Sequence, residues 1–249
     1  MIDAHTHLDV RSFEDLENMA IAGIEKIITL SHDPYKMSVP EVYLDLWDRL
    51  INLEVKRGKI ANVEVKVGIG VHPMGYPKNW ERLIKEIPKF LDNENVVCIG
   101  ETGLHYLKED EINLLKEQLY IAKDYKMPIV IHTPEKNKKE ALLKILEILD
   151  EVKIKEDLVM IDHLNEETVD LVEKYYIGLT VQSLKLTPER AAKIIKEYNK
   201  KFILSSDLGS LKSDIYALPK TKLELKKLGV DENKINKSLY LNAKEFYRL

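Results

Sequence analysis

Apolar and polar positions along the 249-residue chain follow two alternating periods. Short apolar runs recur at Ile2–His7, Glu25–Leu30, Val63–Val71, Val96–Glu101, Ile129–His132, Val159–His163, Ile177–Val181 and Phe202–Asp207. Their length and their Val and Ile content read as buried strands. Between them lie longer stretches with apolar residues three and four apart, the spacing of a helix with one buried face. These are Ser12–Ala22, Glu41–Arg57, Asn79–Leu91, Glu111–Lys126, Lys138–Leu149, Glu166–Tyr175, Pro188–Asn199 and Ile215–Leu228, with a ninth at Glu232–Tyr247. Local start signals agree: Ser12 stands three residues before Asp15, and Thr187-Pro188 puts proline at a first helical position.

Eight strands alternating with helices predict βαβ units around a parallel sheet, and their number predicts closure into a (β/α)8 TIM-type barrel. An open doubly wound sheet is the alternative. It is disfavoured because no glycine-rich dinucleotide or phosphate loop follows any strand. No linker, repeat or low-complexity segment interrupts the pattern, so residues 1–249 read as a single barrel domain.

Composition acts mainly by exclusion. With 45% apolar and 32% charged residues the chain can bury a core under a solvated surface. A net charge of −4 gives no global attraction to nucleic acid or anionic lipid, although a local basic groove remains open. The single cysteine, Cys98, excludes an internal disulfide framework and reads as a buried, inert thiol in a reducing compartment. The first residues lack the features of a secretory leader, and no stretch approaches the ~20 apolar residues that cross a bilayer. A cytoplasmic protein with no membrane partner is expected. Lys and Glu are abundant and Gln occurs only at Gln118 and Gln182, which leans toward a thermophilic origin, although Asn is not depleted.

The histidines carry the chemistry. All seven, His5, His7, His32, His72, His105, His132 and His163, fall at or just beyond the end of a predicted strand. In a barrel those ends surround one mouth, where active sites lie. His5 and His7 are two apart on one strand and so share a face, with Asp3 one step deeper. Alone, such a pair reads equally well as two ligands aimed at one metal or as surface chance or a hydrogen-bonded core pair. It is joined by Glu101, His132, His163 and Asp207 at four other strand ends. Four imidazoles and two carboxylates form an N/O donor set suited to zinc, manganese, iron or cobalt.

The segments Asp3-Ala-His-Thr-His-Leu-Asp9, Gly70-Val-His-Pro73, Ile99-Gly-Glu-Thr-Gly-Leu104, Pro128-Ile-Val-Ile-His132, His163, Ser206-Asp207 and Asn242-Ala-Lys-Glu-Phe246 occur in this order. Together they resemble the TatD-like metal-dependent hydrolases of the amidohydrolase superfamily. The resemblance implies a binuclear site: His5 and His7 on one ion with Asp207 beside it, His132 and His163 on the second, and Glu101 bridging. Phosphotriesterase-like members bridge through a modified lysine on strand four, and no Lys ends that strand here. Three departures bear on substrate. His105 stands where TatD-like proteins usually carry Asp, no Arg follows His132, and the last strand ends Ser205-Ser-Asp-Leu-Gly209 rather than Glu-Thr-Asp-Ser-Pro.

Two ions ~3.5–4 Å apart can share a water and lower its pKa toward ~7, giving a metal-activated hydroxide for attack on carbonyl or phosphorus. Asp207 is the candidate to take the proton and pass it to the leaving group. Asp3 either orients a ligand histidine or serves as a structural carboxylate. His72 and His105 are candidate substrate-facing residues, with a loop role as the alternative for each. His32 reads as a satisfied loop residue. The lysine-rich segments 136–139 and 196–201 read as solvated helix faces, and Tyr35, Met74, Tyr76 and Tyr106 as a pocket wall or cover for the barrel edge.

The expected protein is therefore a hydrolase of ester, phosphodiester or amide bonds using one or two divalent ions. Zinc stands first, with manganese, iron, cobalt and magnesium as alternatives. A TatD-like phosphodiesterase or DNase is the leading specific reading. Its rivals are a small-molecule amidase, lactonase or deaminase-type hydrolase, and a non-catalytic metal-binding barrel. The sequence leaves a small-molecule or nucleic-acid substrate undecided and does not set the number of subunits.

Overall fold

The computed structural model describes residues 1–31 and 35–249, so His32 lies outside the described residues. The chain runs β1 (Ile2–Thr6), α1 (Phe13–Ile21), β2 (Lys26–Thr29), α2 (Pro40–Arg49), α3 (Val55–Ile60), β3 (Glu64–Ile69) and α4 (Glu81–Phe90). It continues through β4 (Val96–Gly103), α5 (Glu109–Tyr125), β5 (Ile129–His132), α6 (Lys138–Val152), β6 (Val159–Ile161) and β7 (Tyr176–Thr180). It ends with α7 (Pro188–Glu197), β8 (Phe202–Ser205), α8 (Ala217–Lys227), α9 (Glu232–Asn236) and α10 (Asn242–Tyr247). Ser12 and Thr187 cap α1 and α7 through their hydroxyls, as their sequence positions predict.

The eight strands pair in parallel in chain order. The ring is drawn shut between β1 and the segment after β8, where Asp207 N donates to His5 O at 2.9 Å and His7 N to Leu208 O at 2.8 Å. The result is a (β/α)8 barrel. Residues of opposite parity on each strand enter different layers. Ile27, Ile129, Ile131, Ile161 and Leu204 pack outward against the helices. Ile2, Ala4, Ile28, Cys98, Val130, Met160, Tyr176 and Ile203 fill the lumen, floored by Ala243, Phe246 and Tyr247 of α10. Tyr247 ties this floor to β1 by donating to Ala4 O at 2.8 Å. Cys98 is fully buried there, and burial pushes its thiol well up, as an inert cysteine requires. Among the described residues no helix is long and apolar enough to cross a membrane.

The structure departs from the sequence pattern in three places. The helix expected over Glu166–Tyr175 is absent, and only a 3-10 turn forms at Val169–Leu171. Asn165 and Thr168 bond to each other's backbone and side chains there, an alternative to helix hydrogen bonding. Lys200 then takes the carbonyls of Val169 and Val172 at 3.0 and 2.9 Å. The Glu41–Arg57 stretch divides into α2 and α3 around a π-helical turn at Leu50–Glu54, where buried Glu54 pairs with Arg49 and Arg57. Lys138, expected on a solvated face, is buried at 8% exposure.

Phe246→Ala should empty part of the lumen floor and destabilise the fold by about 3–5 kcal/mol. Urea unfolding followed by circular dichroism would measure this, and a change below about 1 kcal/mol would show that α10 does not support the barrel.

Candidate metal centre

The six residues expected to bind metal come together at the C-terminal end of the barrel. His5 and His7 arrive on and just after β1, Glu101 within β4 and His132 at the end of β5. His163 and Asp207 stand two residues beyond β6 and β8, on turns with left-handed φ of 62° and 47°. Such φ values cost a non-glycine residue roughly 1–2 kcal/mol, so neighbouring groups must hold them. The buried ammonium of Lys138 donates to His163 O at 2.8 Å, and His163 N donates to Asp162 Oδ1 at 2.7 Å. Gln182 Nε2 donates to Asp207 O at 2.8 Å.

Glu101 lies at the middle, 2% exposed, with five imidazoles around it. Its Oε1 is 2.7 Å from His163 Nε2 and 3.0 Å from His132 Nδ1. Its Oε2 is 3.4 Å from His5 Nε2, 3.5 Å from His72 Nε2 and 4.0 Å from His7 Nε2. The carboxylate thus divides between two groups. On the Oε2 side, His5 Nε2 and His7 Nε2 are 3.2 Å apart, and Asp207 Oδ1 lies 3.3 Å from His7 and 3.7 Å from His5. Two donors at ~2.0–2.1 Å from a tetrahedral ion stand about 3.3 Å apart, so these separations match the edges of a coordination polyhedron. Ligand atoms of His5, Glu101 and His163, of His5, His7 and Asp207, and of His72, Glu101 and His132 fall within 4.8 Å of one another. The residues present therefore fit a divalent ion.

Asp162 governs which ring nitrogens face this centre. It is fully buried, and its Oδ2 accepts from His5 Nδ1 at 2.7 Å, which leaves the lone pair of neutral His5 on Nε2. Its Oδ1 accepts from Thr180 Oγ1 at 3.1 Å, and that hydroxyl in turn accepts from His163 Nδ1 at 2.7 Å. His163 therefore also presents Nε2. Gly178 of β7 makes room for this carboxylate, since a Cβ there would lie 2.2 Å from Asp162 Oδ1. Of the two readings for Asp3, the structural one matches its contacts: it accepts from Ser206 N at 2.9 Å and Ser206 Oγ at 2.6 Å and ties β1 to the turn after β8.

Charge follows from these contacts. Burial alone would raise the Glu101 carboxyl, but His5, His132, His163 and His72 overcome it and hold it well below the usual carboxylate range. Asp207 is likewise held well below its ordinary value against burial, chiefly by Lys185 and His5. Burial opposes a charge on His5, yet Glu101 and Asp207 raise it well above a normal imidazole. Burial dominates at His132 and pushes it down to about 3.

His72 and His105 occupy different surroundings. Met74 N donates to His72 Nδ1 at 3.1 Å, which puts the proton of the neutral ring on Nε2. Burial holds His72 well below its ordinary value, and its Nε2 has no hydrogen-bond partner among the described residues. An N–H is thus aimed at the centre rather than a lone pair. Gln118 of α5 fixes the preceding residue, bonding Val71 N at 2.8 Å and Val71 O at 3.1 Å. His105 is half-buried, with Nδ1 3.1 Å from His132 Nε2. Glu111 holds its loop by accepting the amides of His105, Tyr106 and Leu107.

Over the centre lies a cavity of about 360 Å³ lined by His7, Glu101, His105, His132, His163 and Asp207, together with Met74, Gln182, Lys185 and Leu211 among others. Of the four residues expected as pocket wall or edge cover, Met74 lines it, whereas Tyr35 and Tyr106 are exposed. Lys185 Nζ reaches in to 2.6 Å from Asp207 Oδ2. Burial disfavours its charge, but Asp207 and Glu101 raise its pKa above that of an ordinary lysine. The sequence pattern does not single out Asp162, Lys185, Gln182 or Glu111. Asp162 carries a weak signal as the neighbour of His163, and the others depend on loop paths.

Residues 2–207 match the model of the TatD related DNase family. A metal-dependent hydrolase of Methanocaldococcus jannaschii is 78% identical across the whole of both chains. A TatD-like protein of Archaeoglobus fulgidus superposes over all of both chains with a TM-score of 0.86 at 32% identity. A phosphotriesterase homology protein of Escherichia coli, solved with phosphate in its active site, shares the fold with a TM-score of 0.72 at 14% identity, over 99% of this chain and 98% of its own. The chain belongs to the TatD family and is a metal-dependent hydrolase.

Proposed function

We propose that His5, His7 and Asp207 hold one divalent ion, that His132 and His163 hold a second, and that Glu101 serves both in the hydrolysis of phosphodiester bonds. The observation that carries this reading is the division of the Glu101 carboxylate, Oε1 toward His132 and His163 and Oε2 toward His5 and His7. Imidazole and carboxylate donors favour zinc, with manganese, iron, cobalt and magnesium as alternatives. Ions held there supply Lewis acidity and a water deprotonated near neutral pH.

The chain's own residues do the rest. Asp207 lines the cavity with Oδ1 beside His7 and Oδ2 accepting from Lys185 Nζ, so Oδ1 can accept a proton from water and return it to the leaving oxygen. His72, expected to face substrate, is buried with Nε2 3.5 Å from Glu101 Oε2 and is not among the residues that line the cavity, so its N–H would act on substrate through Glu101. His105 stands at the rim, beside His132. The TatD related DNase match supports a phosphodiester as substrate. One observation favours a small-molecule substrate instead. Thr133, next after His132, is fully buried and its hydroxyl donates to Asp162 O at 2.7 Å, so this position serves the scaffold rather than a phosphate.

Protein purified without chelator should carry about two divalent ions per chain, and a His5→Ala, His7→Ala variant about one fewer. Metal analysis by mass spectrometry measures both, and equal metal content in the two proteins would remove the site assignment. Removing the metal should abolish cleavage of bis(p-nitrophenyl) phosphate and lower the melting temperature, since ligands that bind only the folded state stabilise it.

Asp162→Asn should weaken metal affinity by about 10–100-fold without unfolding the barrel, because it removes the charge that fixes both tautomers. Competition against a fluorescent chelator measures this, and unchanged affinity would mean that Asp162 is only structural.

A further inference from the structure

Lys185 is a buried cation that the metal-binding reading does not use. It lies on the connection from β7 to α7, and that connection is fixed. Val181 bridges to Leu186, Lys185 N donates to Gln182 O at 2.9 Å, and Lys185 O accepts from Arg190 Nη1 at 2.9 Å. Arg190 is itself clamped to Glu166 by two bonds of 2.8 and 2.6 Å. The side chain is 13% exposed, with Nζ 2.6 Å from Asp207 Oδ2 and 3.1 and 3.2 Å from the ring nitrogens of His163. This placement differs from that of a surface lysine, whose ammonium moves freely in water.

Its only carboxylate partner within ion-pair distance, among the described residues, is Asp207. Asp207 is also a member of the metal-ligating group. Once divalent ions share the charge of Asp207 and Glu101, the Lys185 ammonium faces the cavity with an excess of positive charge around it. A neutral substrate gains little there. An anionic oxygen gains a charge-assisted hydrogen bond in a partly desolvated site. Among the described residues, Lys185 is the lysine that lines the cavity. Lys138 is instead engaged by His163 O, Thr133 O and Thr133 Oγ1.

We propose that Lys185 binds a non-bridging oxygen of the substrate's phosphoryl group and so selects anionic phosphodiesters over neutral esters and amides. This rests on the phosphodiesterase reading above and names the residue that enforces it.

The test uses the metal-loaded full chain and its Lys185→Met and Lys185→Arg variants, each first assayed for metal content. Inorganic phosphate binding is measured by titration calorimetry, and KM and kcat with bis(p-nitrophenyl) phosphate. K185M should keep the wild-type metal content and bind phosphate roughly tenfold or more weakly, the worth of one charge-assisted hydrogen bond. Its KM should rise by a similar factor while kcat changes much less, and K185R should recover most of the phosphate affinity. Equal phosphate affinity in wild type and K185M overturns the proposal. So does loss of metal from K185M, or a fall in kcat at unchanged KM, either of which would make Lys185 a support for Asp207. A wild type that takes up metal and phosphate but cleaves no diester ends the phosphodiesterase reading, and the phosphate titration still decides the role of Lys185.

Discussion

A carboxylate taken out of water must find partners or lose its charge, and Glu101 is 2% exposed near the axis of a barrel. Its partners cannot come from its own strand. They come from β1, from the segment after β3, from β5 and from the turn after β6. Only closure of the sheet brings these four parts of the chain within 3.5 Å of one carboxylate. The apolar lumen below, floored by α10, shields the cluster on one side, and the cavity opens it on the other. Packing and chemistry are therefore two halves of one column of side chains, apolar at the base and ionisable at the mouth.

The centre is held from behind by buried groups that are not among its proposed metal ligands. Asp162 sets His5 directly and His163 through Thr180, so one buried charge determines two ring orientations. Lys138 and Gln182 hold the left-handed turns that carry His163 and Asp207. These turns lift the two side chains beyond the strict alternation of a strand, where direction is limited to inward or outward. The energetic cost of the turns is offset by hydrogen bonds from Lys138 at the start of α6 and from Gln182 just after β7, which ties site geometry to the packing of the barrel.

The barrel and the six-residue constellation are legible in the sequence for a common physical reason. Buried parallel strands need continuous apolar runs, and His5, His7, Glu101, His132, His163 and Asp207 interrupt those runs at or near their ends. The helix expected at Glu166–Tyr175 fails because side-chain bonds of Asn165 and Thr168, and a distant lysine, capture its backbone. Apolar spacing holds no trace of such capture. Lys185 and Lys138 look like surface lysines in the sequence, since their burial depends on where two loops turn. Gln118 and Gln182, the only glutamines, read as a compositional feature. The structure puts both against the site, one fixing Val71 before His72 and the other fixing the Asp207 turn.

Gly178 shows how far the site's reach extends. It lies in the middle of β7, bears no side chain, and would be judged free to vary by its chemistry. Yet any other residue would drive a methyl group into Asp162. The wall position is therefore constrained by the carboxylate it faces. A side chain at 178 has room only if 162 becomes smaller, so the barrel carries a pair of sterically linked positions although only one of them is polar.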